Sequence, residues 1–513
     1  MRTIQILEKK QILILILIIL IGSFLRIYNL GNNSFWYDEA SSIILAKHIG
    51  TIHRQLGTDA PLFFLILNPW LPIGKSEFAL RLLPAIIGIL LIPLLFFFSK
   101  RFTDFKTALF ATVFLATSPL HIYYSQELRG YTLLPLLFLL CAIFYYKALN
   151  DNRKSDWFMF AIFGALSIYT HYFAIFSLFA NFLFFLIFIR IHKDRFFKVI
   201  SFNFLILLLY SPWLYFFLKK TFAFQKFSKF WILQPGIKDI IITIKNFIIG
   251  YGAPKWAFYI STFLAIILFL IALPQIFRKK EYSYIFIHLL TPVVLVFILS
   301  RSSSNSIYLD RCMIISSVFF LIFIAKGLSS IKIQWLTWGI FIVITFNSFV
   351  SLYYIYNNVI PRLDHNFGVR PRKDFRQGAM YIKSQLMEGD LIGHTCRSSL
   401  PVFMVYLPGS DNLSLATDYG QINYIKKKYP FQEMWDTPLG KITLPHLIDE
   451  AVKGKKRLWL IYGQWDLDIK DRYYETSEEI KIKLLDEYPL ISKKEYYGIT
   501  IYLFSLDKKS HRL

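Results

Sequence analysis

The stretch Ser34-Phe35-Trp36-Tyr37-Asp38-Glu39-Ala40 guides the interpretation of everything around it. It follows a long apolar run, residues 11–30, and places two adjacent carboxylates directly beyond that run. The run has the roughly 20 residues that an α-helix needs to cross a bilayer. Acidic residues are scarce before position 356, yet two stand together here beside two aromatic residues. The stretch therefore predicts a first membrane span that brings a pair of acids to the membrane boundary.

The composition predicts a chain with two unlike parts. Its 513 residues are 55% hydrophobic, which is too apolar for one soluble domain and too long for a single anchor. Apolar runs follow one another up to about residue 355, and beyond it charged, apolar and turn residues are mixed. We expect a polytopic α-helical membrane region over residues 1–355, with a large first outer loop at 31–76, and a soluble α/β domain over 356–513.

Eleven apolar runs suit membrane spans by their length. Lys and Arg gather in the alternate loops on the side of the N-terminus, which the positive-inside rule assigns to the cytoplasm. With eleven spans, the C-terminal domain is expected outside the cytoplasm, in a multi-pass protein of the plasma (inner) membrane. The predicted spans are residues 11–30, 77–98, 107–124, 131–149, 156–171, 172–190, 199–217, 257–277, 285–300, 310–326 and 334–355.

The formal net charge of +24 comes mostly from the membrane region. The positive-inside rule explains this excess, so the charge argues against nucleic acid as a partner. One outer loop, residues 218–256, breaks the rule with seven lysines interleaved with aromatic residues. This pattern indicates either a segment that lies on the headgroups of membrane lipids or an ordinary amphipathic loop.

Neither a disulfide framework nor a metal site is indicated by the three cysteines, because no pair has metal-ligand spacing. In the first outer loop, Asp59 lies in the same segment as His48 and His53. Their spacing is loose, so Asp59 and His53 are weak candidates for a divalent metal. No cofactor is required by the pattern.

Adjacent side chains such as Asp38 and Glu39 cannot point the same way on a helix or strand, so they do not form a general acid/base pair by themselves. One can face a substrate while the other stabilises the start of a helix. A second cluster, Ser125-Gln126-Glu127-Leu128-Arg129-Gly130-Tyr131, falls in the next outer loop. Charge between two spans is costly unless it is used, and the arginine fork suits a phosphate. The plainer alternative is an internal Glu127–Arg129 pair that fixes the loop.

Two further arginines, Arg81 and Arg311, lie in or at the ends of apolar runs. An arginine at the outer end of a span can hold a lipid phosphate. Arg311 follows Asp310 directly, so a simple ion pair between these two residues is the alternative.

Several of these motifs together resemble those of the GT-C glycosyltransferases, in particular the branch of the protein O-mannosyltransferases and lipid A aminoarabinose transferases, which is similar to bacterial glycosyltransferase family 39. The resemblance covers most of the chain in patches, and the Asp-Glu corner is its most specific part. The residues that carry it are Trp36-Tyr37-Asp38-Glu39-Ala40, Phe78-Ala79-Leu80-Arg81-Leu82, Gln126-Glu127-Leu128-Arg129-Gly130-Tyr131, Asp310-Arg311 and Lys373-Asp374-Phe375-Arg376.

The resemblance implies an enzyme that transfers a monosaccharide, with inversion, from a polyprenyl phosphate to a lipid, protein or glycan acceptor outside the cytoplasm. It implies that Asp38 acts as general base with Glu39 as its companion. The residues expected to bind the donor phosphate or sugar are Glu127, Arg129, Tyr131, Arg311 and Arg81. The sequence has Asp59-Ala60-Pro61 where a His-Pro-Pro pattern is common, which leaves the acceptor type open.

Two alternatives stay open beside this interpretation. One is an oligosaccharide or polymer ligase that uses a diphosphate-linked donor. The other is a transporter or flippase of lipid-linked sugars. The charged residues of a transporter line a path through the midplane of the membrane, whereas the charged residues of this sequence gather at its outer boundary.

The C-terminal domain shows alternating helix and strand patterns, which favour an α/β fold. It contains no Gly-rich phosphate loop, so we expect a scaffold, a lid or an acceptor-binding module. The predicted elements are helices at 373–387, 444–452 and 477–488, strands at 391–395 and 457–462, and a strand or hairpin at 495–504.

Overall fold

The computed structural model describes residues 8–51, 59–225, 232–303, 305–361, 369–395, 398–415, 434–437, 440–443, 448–463 and 472–507. The membrane region contains helices α1 (Lys9–Ile27), α2 (Tyr37–Lys47), α3 (Leu62–Trp70), α4 (Glu77–Phe102), α5 (Phe105–Ala116), α6 (Pro119–Ser125), α7 (Leu133–Asp151), α8 (Lys154–Thr170), α9 (Ala174–Ile187), α10 (Ile189–His192), α11 (Phe196–Gln225), α12 (Ile237–Ile249), α13 (Lys255–Ala272), α14 (Lys280–Ser302), α15 (Ile314–Ser330) and α16 (Gln334–Tyr356).

All eleven predicted spans are helical. In the described part of the chain, eight helices are long and apolar enough to cross a membrane, or nine if α5 and α6, which meet at a bend of 52°, form one span. The two remaining predicted spans are shorter: α8 has 17 residues and α9 has 14. The protein is therefore a multi-pass membrane protein, with two short helices among its predicted crossings.

Polar contacts at each end of the helix bundle show how the spans alternate. At one end, which we call the site end, the Tyr356 hydroxyl after α16 donates to the carbonyl of Leu25 in α1. At the opposite end, Lys198 of α11 donates to Asn152 before α8 at 2.8 Å. His171 follows α8 and packs against Tyr131 at the site end, with 6.1 Å between ring centroids. The short helix α8 therefore connects the two ends of the bundle.

A buried arginine stabilises the bend between α5 and α6. Pro119 opens α6 and has no N–H, so it cannot donate to the carbonyl four residues before it. Arg26 of α1 donates to the carbonyl oxygens of Leu115 and Ala116 at 3.1 and 3.0 Å. This guanidinium, fully buried, supplies donors where the helical ladder is interrupted.

The predicted loop at 218–256 is only partly a loop. Helix α12 lies within it and has a buried face that includes Ile242, Phe247 and the stem of Lys245. The Lys245 ammonium donates to the carbonyl oxygen of Gly250 at 3.1 Å instead of facing lipid. Neither interpretation of this loop, a segment on headgroups or an ordinary amphipathic loop, predicts the buried face of α12. The stretch from residue 226 to 231 lies outside the described residues.

The C-terminal part is an α/β domain, as predicted. Its seven-stranded sheet has the order β3-β4-β2-β1-β5-β7-β6, with parallel pairing from β4 to β5 and antiparallel pairing at both edges. Its elements are α17 (Phe375–Gln385), β1 (Asp390–His394), α18 (Leu400–Tyr406), β2 (Asp411–Leu415), β3 (Met434–Thr437), β4 (Gly440–Thr443), α19 (Ile448–Ala451), β5 (Arg457–Gly463), α20 (Arg472–Glu487), β6 (Leu490–Tyr496) and β7 (Ile499–Ser505).

The two faces of this sheet pack against different partners, because side chains alternate along a strand. On β5, Leu458 and Leu460 pack in one cluster with Leu484 of α20. Trp459 and Ile461 belong to the other cluster, which also contains the α17 and α18 side chains and residues of the first loop such as Phe35. The sheet domain is thus packed onto the segment that carries the acidic pair.

Candidate functional site

The acidic pair opens helix α2, and its two carboxylates have different environments. Glu39 is buried, and its carboxylate accepts two hydrogen bonds from Arg81, each at 2.8 Å, and one from the N–H of Leu128 at 3.0 Å. Burial alone would raise the pKa of Glu39, but the guanidinium of Arg81 holds this pKa below its ordinary value. Glu39 therefore joins α2, α4 and the loop after α6.

Arg81 uses all of its donors inside the protein. Besides the two bonds to Glu39, its guanidinium donates to the carbonyl oxygens of Leu30 at 3.1 Å, Asn33 at 2.8 Å and Ser34 at 3.0 Å. A guanidinium has five N–H donors, so none remains for a ligand. The expectation that Arg81 binds the donor phosphate is wrong, because its hydrogen bonds hold the start of the first loop in place.

Asp38 has the opposite environment in the same helical turn. Its half-buried carboxylate makes no hydrogen bond or ion pair with the residues that the structure describes. It lies near enough to Arg129, Arg311 and Glu127 to interact with their charges. Asp38 is therefore an available carboxylate that faces two arginines.

Arg129 is paired with an acid of the first loop. Its guanidinium lies 3.0 Å from the carboxylate of Asp59 and 5.9 Å from the centroid of the Phe64 ring. Burial lowers the pKa of Arg129, but the carboxylates of Asp59 and Asp38 raise it by more, so the group stays charged. The predicted internal pair of Glu127 with Arg129 is not seen, since each has another partner.

A small pocket opens beside Arg129. It lies between α3 and the junctions before α7 and after α8, and its walls include Phe63, Tyr131 and His171. Burial lowers the pKa of His171 to about 4, with a smaller effect of Arg129, so its imidazole is neutral. The sequence does not predict His171 as a site residue. The fold places it beside Arg129 and Tyr131, because the end of α8 lies next to the start of α7.

The part of the first loop that the structure describes offers no metal site. Within the ranges that the structure describes, no group of three His, Cys, Asp or Glu residues could hold a metal ion. The candidate His53 lies outside these ranges, and Asp59 is engaged by Arg129.

Arg311 lies at the start of the most deeply buried span. A short 3₁₀ turn, Asp310–Met313, leads into α15, and the carboxylate of Asp310 accepts from Asn246 at 2.5 Å and from the N–H of Arg311 at 2.7 Å. Asp310 therefore holds the turn in place. The side chain of Arg311 interacts with the charge of Asp38 and with Tyr131.

Glu127 contacts a residue that the sequence analysis missed. Its buried carboxylate lies 2.9 Å from the guanidinium of Arg372, which belongs to the segment between α16 and α17. Burial, with the nearby carboxylates of Glu39 and Asp38, raises the pKa of Glu127 to about 7, although Arg372 opposes this rise. A local signal exists only in the basic run Arg370-Pro371-Arg372-Lys373, which gives no indication of its partner.

These residues form one charged cluster at the site end: Asp38 and Glu127 with Arg129, Arg311 and Arg372. A second small pocket lies on the side of Arg372 and is lined by polar residues such as Asn33 and Gln126. The cluster thus lies between two pockets. It combines an available carboxylate with guanidinium charge at a membrane boundary.

A bundle of membrane-spanning helices with an acidic corner after the first span and a C-terminal α/β domain over the same end has the GT-C fold. The structure is similar to that of ArnT from Cupriavidus metallidurans, with a TM-score of 0.65 and 10% identity over 95% of this chain and 97% of that chain. The crystal structure of ArnT bound to undecaprenyl phosphate gives the same values.

The structure is also similar to the oligosaccharyltransferase from Archaeoglobus fulgidus, with a TM-score of 0.56 and 12% identity over 95% of this chain and 80% of that chain. Residues 58–216 match the family model described as dolichyl-phosphate-mannose-protein mannosyltransferase. No curated protein matches the sequence significantly. The GT-C resemblance inferred from the motifs is confirmed at the level of the fold.

Proposed function

We propose that this protein is an inverting glycosyltransferase that moves a monosaccharide from a polyprenyl phosphate to a hydroxyl group of an extracytoplasmic lipid, protein or glycan. One observation carries the proposal: among the residues that the structure describes, Asp38 has no hydrogen bond or ion pair and lies near the charges of Arg129 and Arg311, while the adjacent Glu39 is held by Arg81. A base beside a cationic phosphate site is the minimum that this transfer requires.

In the proposed reaction, Asp38 accepts the proton of the acceptor hydroxyl as the hydroxyl oxygen attacks the anomeric carbon. The new carbon–oxygen bond forms on the face opposite the phosphate. The old bond to the phosphate oxygen breaks, and its electron pair leaves with the phosphate, so the anomeric configuration inverts. Phosphate is a good leaving group that needs no proton, and guanidinium charge stabilises the departing anion.

The start of α15 is the best phosphate position. Arg311 lies in the 3₁₀ turn that leads into this helix, and the N-terminal end of a helix carries a partial positive charge that favours an anion. Arg129 lies nearby, with one donor on Asp59, and its charge interacts with that of Asp38. We propose that Arg311 and Arg129 bind the donor phosphate and that Tyr131 forms part of the sugar pocket.

The comparisons support the donor class. The similar ArnT structure was determined with undecaprenyl phosphate, and the matching family model is named for a dolichyl-phosphate-mannose donor. We further propose that the site end faces the exterior of the plasma (inner) membrane. Support comes from the basic residues in the loops at the opposite end, such as Lys100, Lys154 and Lys279.

The test is transfer by the purified full-length protein in lipid nanodiscs, with radiolabelled polyprenyl-phosphate monosaccharides and an envelope extract as acceptor. We expect release of free polyprenyl phosphate, and we expect Asp38→Asn to reduce it by about 10²- to 10⁴-fold, because a general base is lost. Near-normal activity of this variant with unchanged thermal stability would reject the assignment. Product formation with a diphosphate-linked donor alone would favour the ligase alternative.

A further inference from the structure

Arg372 reaches the charged cluster from the segment that joins the last span to the sheet domain. Its guanidinium carbon lies 4.5 Å from the centroid of the Trp36 ring and 5.5 Å from that of Tyr123. One nitrogen lies 2.9 Å from the carboxylate of Glu127. Arg372 therefore touches both the residue two positions before Asp38 and the acid of the next loop.

The backbone around Arg372 is fixed as firmly as its side chain. Asn358, just after α16, accepts from the N–H of Arg372 at 2.6 Å and donates to its carbonyl oxygen at 2.8 Å. Asn358 has a φ of 57°, in the left-handed region that asparagine tolerates better than most residues. The end of the last span thus holds Arg372 by both of its backbone polar groups.

We propose that Arg372 is a positioning residue of the site, which pairs with the carboxylate of Glu127 and holds the Trp36–Asp38 turn against the cluster. This inference rests on the proposed function. It means that the catalytic arrangement is completed by the segment that enters the sheet domain, although all other residues of the cluster belong to the membrane region.

The charges around Glu127 explain why such a residue is needed. Asp38 and Glu39 of α2 oppose ionisation of Glu127, whereas Arg372 and, more weakly, Arg311 favour it. Tyr123 and Tyr124 of α6 and Tyr131 before α7 also interact with its charge. If Glu127 became protonated, the charge of Arg372 would lose the counterion that holds it at 2.9 Å.

Docking of the sheet domain does not depend on Arg372. Arg376 donates to the carbonyl oxygens of Gly31 and Asn32 at 3.0 and 2.7 Å, and the N–H of Phe35 donates to the Tyr406 hydroxyl at 2.8 Å. A variant at position 372 should therefore keep the two parts of the chain together. Its effects can be assigned to the site.

The experiment compares Arg372→Gln and Arg372→Lys with Glu127→Gln and with the double variant Arg372→Gln/Glu127→Gln. Lys383→Gln is the control, because it removes an exposed positive charge from α17. The first readout is the pH profile of polyprenyl phosphate release. Activity should rise through the pKa of Glu127, and Arg372→Gln should move this rise upward by about one pH unit or more, because the cation that favours ionisation is lost.

Arg372→Lys should keep the position of the rise, since its charge is retained, but lower the maximum rate, since lysine lacks the planar face that stacks on Trp36. Glu127→Gln should abolish the rise, and adding Arg372→Gln should then change little. A loss in Arg372→Gln that is equal at every pH would overturn the proposal. So would an equal shift in the control.

A second readout does not depend on activity. Because the folded pKa of Glu127 is raised, its contribution to stability is present at low pH and is lost as the pH rises through that pKa. The unfolding midpoint of Arg372→Gln should fall below that of the wild type by about a degree or more near pH 8, and by less near pH 5. A constant difference would overturn the proposal, and absent transfer with this pH dependence intact would reject only the proposed function.

Discussion

At the scale of single residues, the adjacent acids Asp38 and Glu39 have different roles. Glu39 is enclosed by hydrogen bonds from Arg81 and Leu128, whereas Asp38 is open to the cluster. Sequence reasoning predicted that the two could not point the same way, and the structure shows which one is buried. Glu39 thus acts by holding the corner together, and Asp38 remains for chemistry.

This division predicts opposite phenotypes for two amide variants. Glu39→Gln leaves the buried Arg81 without its counterion, and breaking a buried pair costs about 3–5 kcal/mol. We expect a clearly lower unfolding midpoint for Glu39→Gln in detergent, and an unchanged midpoint but lost transfer for Asp38→Asn. Equal midpoints for the two variants would contradict the structural role of Glu39.

The arginines of the cluster give a second prediction at this scale. Arg311→Lys keeps a positive charge at the start of α15 but loses the planar fork that binds phosphate through two parallel hydrogen bonds. We expect kcat/KM for the polyprenyl-phosphate donor to fall by about tenfold or more, because charge-assisted hydrogen bonds are worth about 1.5–3 kcal/mol. The control is Lys75→Gln, an exposed charge before α4. Unchanged kinetics of the arginine variant would exclude Arg311 from donor binding.

The loop assignments and the outer end of the span at 310–326 predicted that Asp38, Glu127, Arg129 and Arg311 lie on the same side of the membrane, and in the structure their charges interact. The sequence analysis did not find Arg372, which meets Glu127 across 245 positions of the chain. It also assigned Arg81 to the ligand, although its donors are all used by the protein. Hydropathy gives the depth of a residue but not the direction of its side chain.

At the scale of elements, the spans were predictable because a bilayer requires apolar helices long enough to cross it, and such runs are visible in the composition of the sequence. Helix α12 was not predicted, because its mixture of lysines and apolar residues fits an amphipathic loop as well as it fits a packed helix. Strands β2, β3 and β4 and helix α18 were also missed. They are short, and β2 and β4 find their parallel partners across intervening segments of the chain, whereas β3 forms a hairpin with β4.

Close packing of two spans gives a prediction for one glycine. A Cβ at Gly327 in α15 would lie 2.0 Å from the carbonyl oxygen of Leu268 in α13, whereas a Cβ at Gly339 in α16 meets nothing within 4 Å. We expect Gly327→Ala to destabilise the fold by roughly 1–3 kcal/mol, because two helix backbones must separate. Gly339→Ala should be neutral or slightly stabilising, since alanine favours helix. Thermal unfolding in detergent compares them, and equal midpoints would show that the helices are not so close.

At the scale of the whole molecule, the sheet domain and the first loop share one apolar core. Phe35 and Phe63 of the membrane region belong to the same cluster as Phe375 and Trp459 of the sheet domain. Composition predicted the two parts separately and gave no signal for this shared core. Only three-dimensional packing shows that the domain forms part of the support of the acidic corner.

Tyr406 tests this coupling, because its hydroxyl joins the two parts of the chain. It donates to the buried carboxylate of Glu77 at 2.5 Å and accepts from the N–H of Phe35 at 2.8 Å. Tyr406→Phe keeps the ring but leaves one acceptor and one donor short of a partner, at a cost of about 1–3 kcal/mol.

We expect faster amide hydrogen exchange in two separate places in Tyr406→Phe, the start of α2 and helix α18, together with reduced polyprenyl phosphate release. Tyr353→Phe is the control, because that exposed side chain lies on α16. Faster exchange confined to α18 would mean that the sheet domain does not support the corner. Because Asp38 lies only three residues after Phe35, a loosened corner should lower the transfer rate even though no residue of the charged cluster is changed.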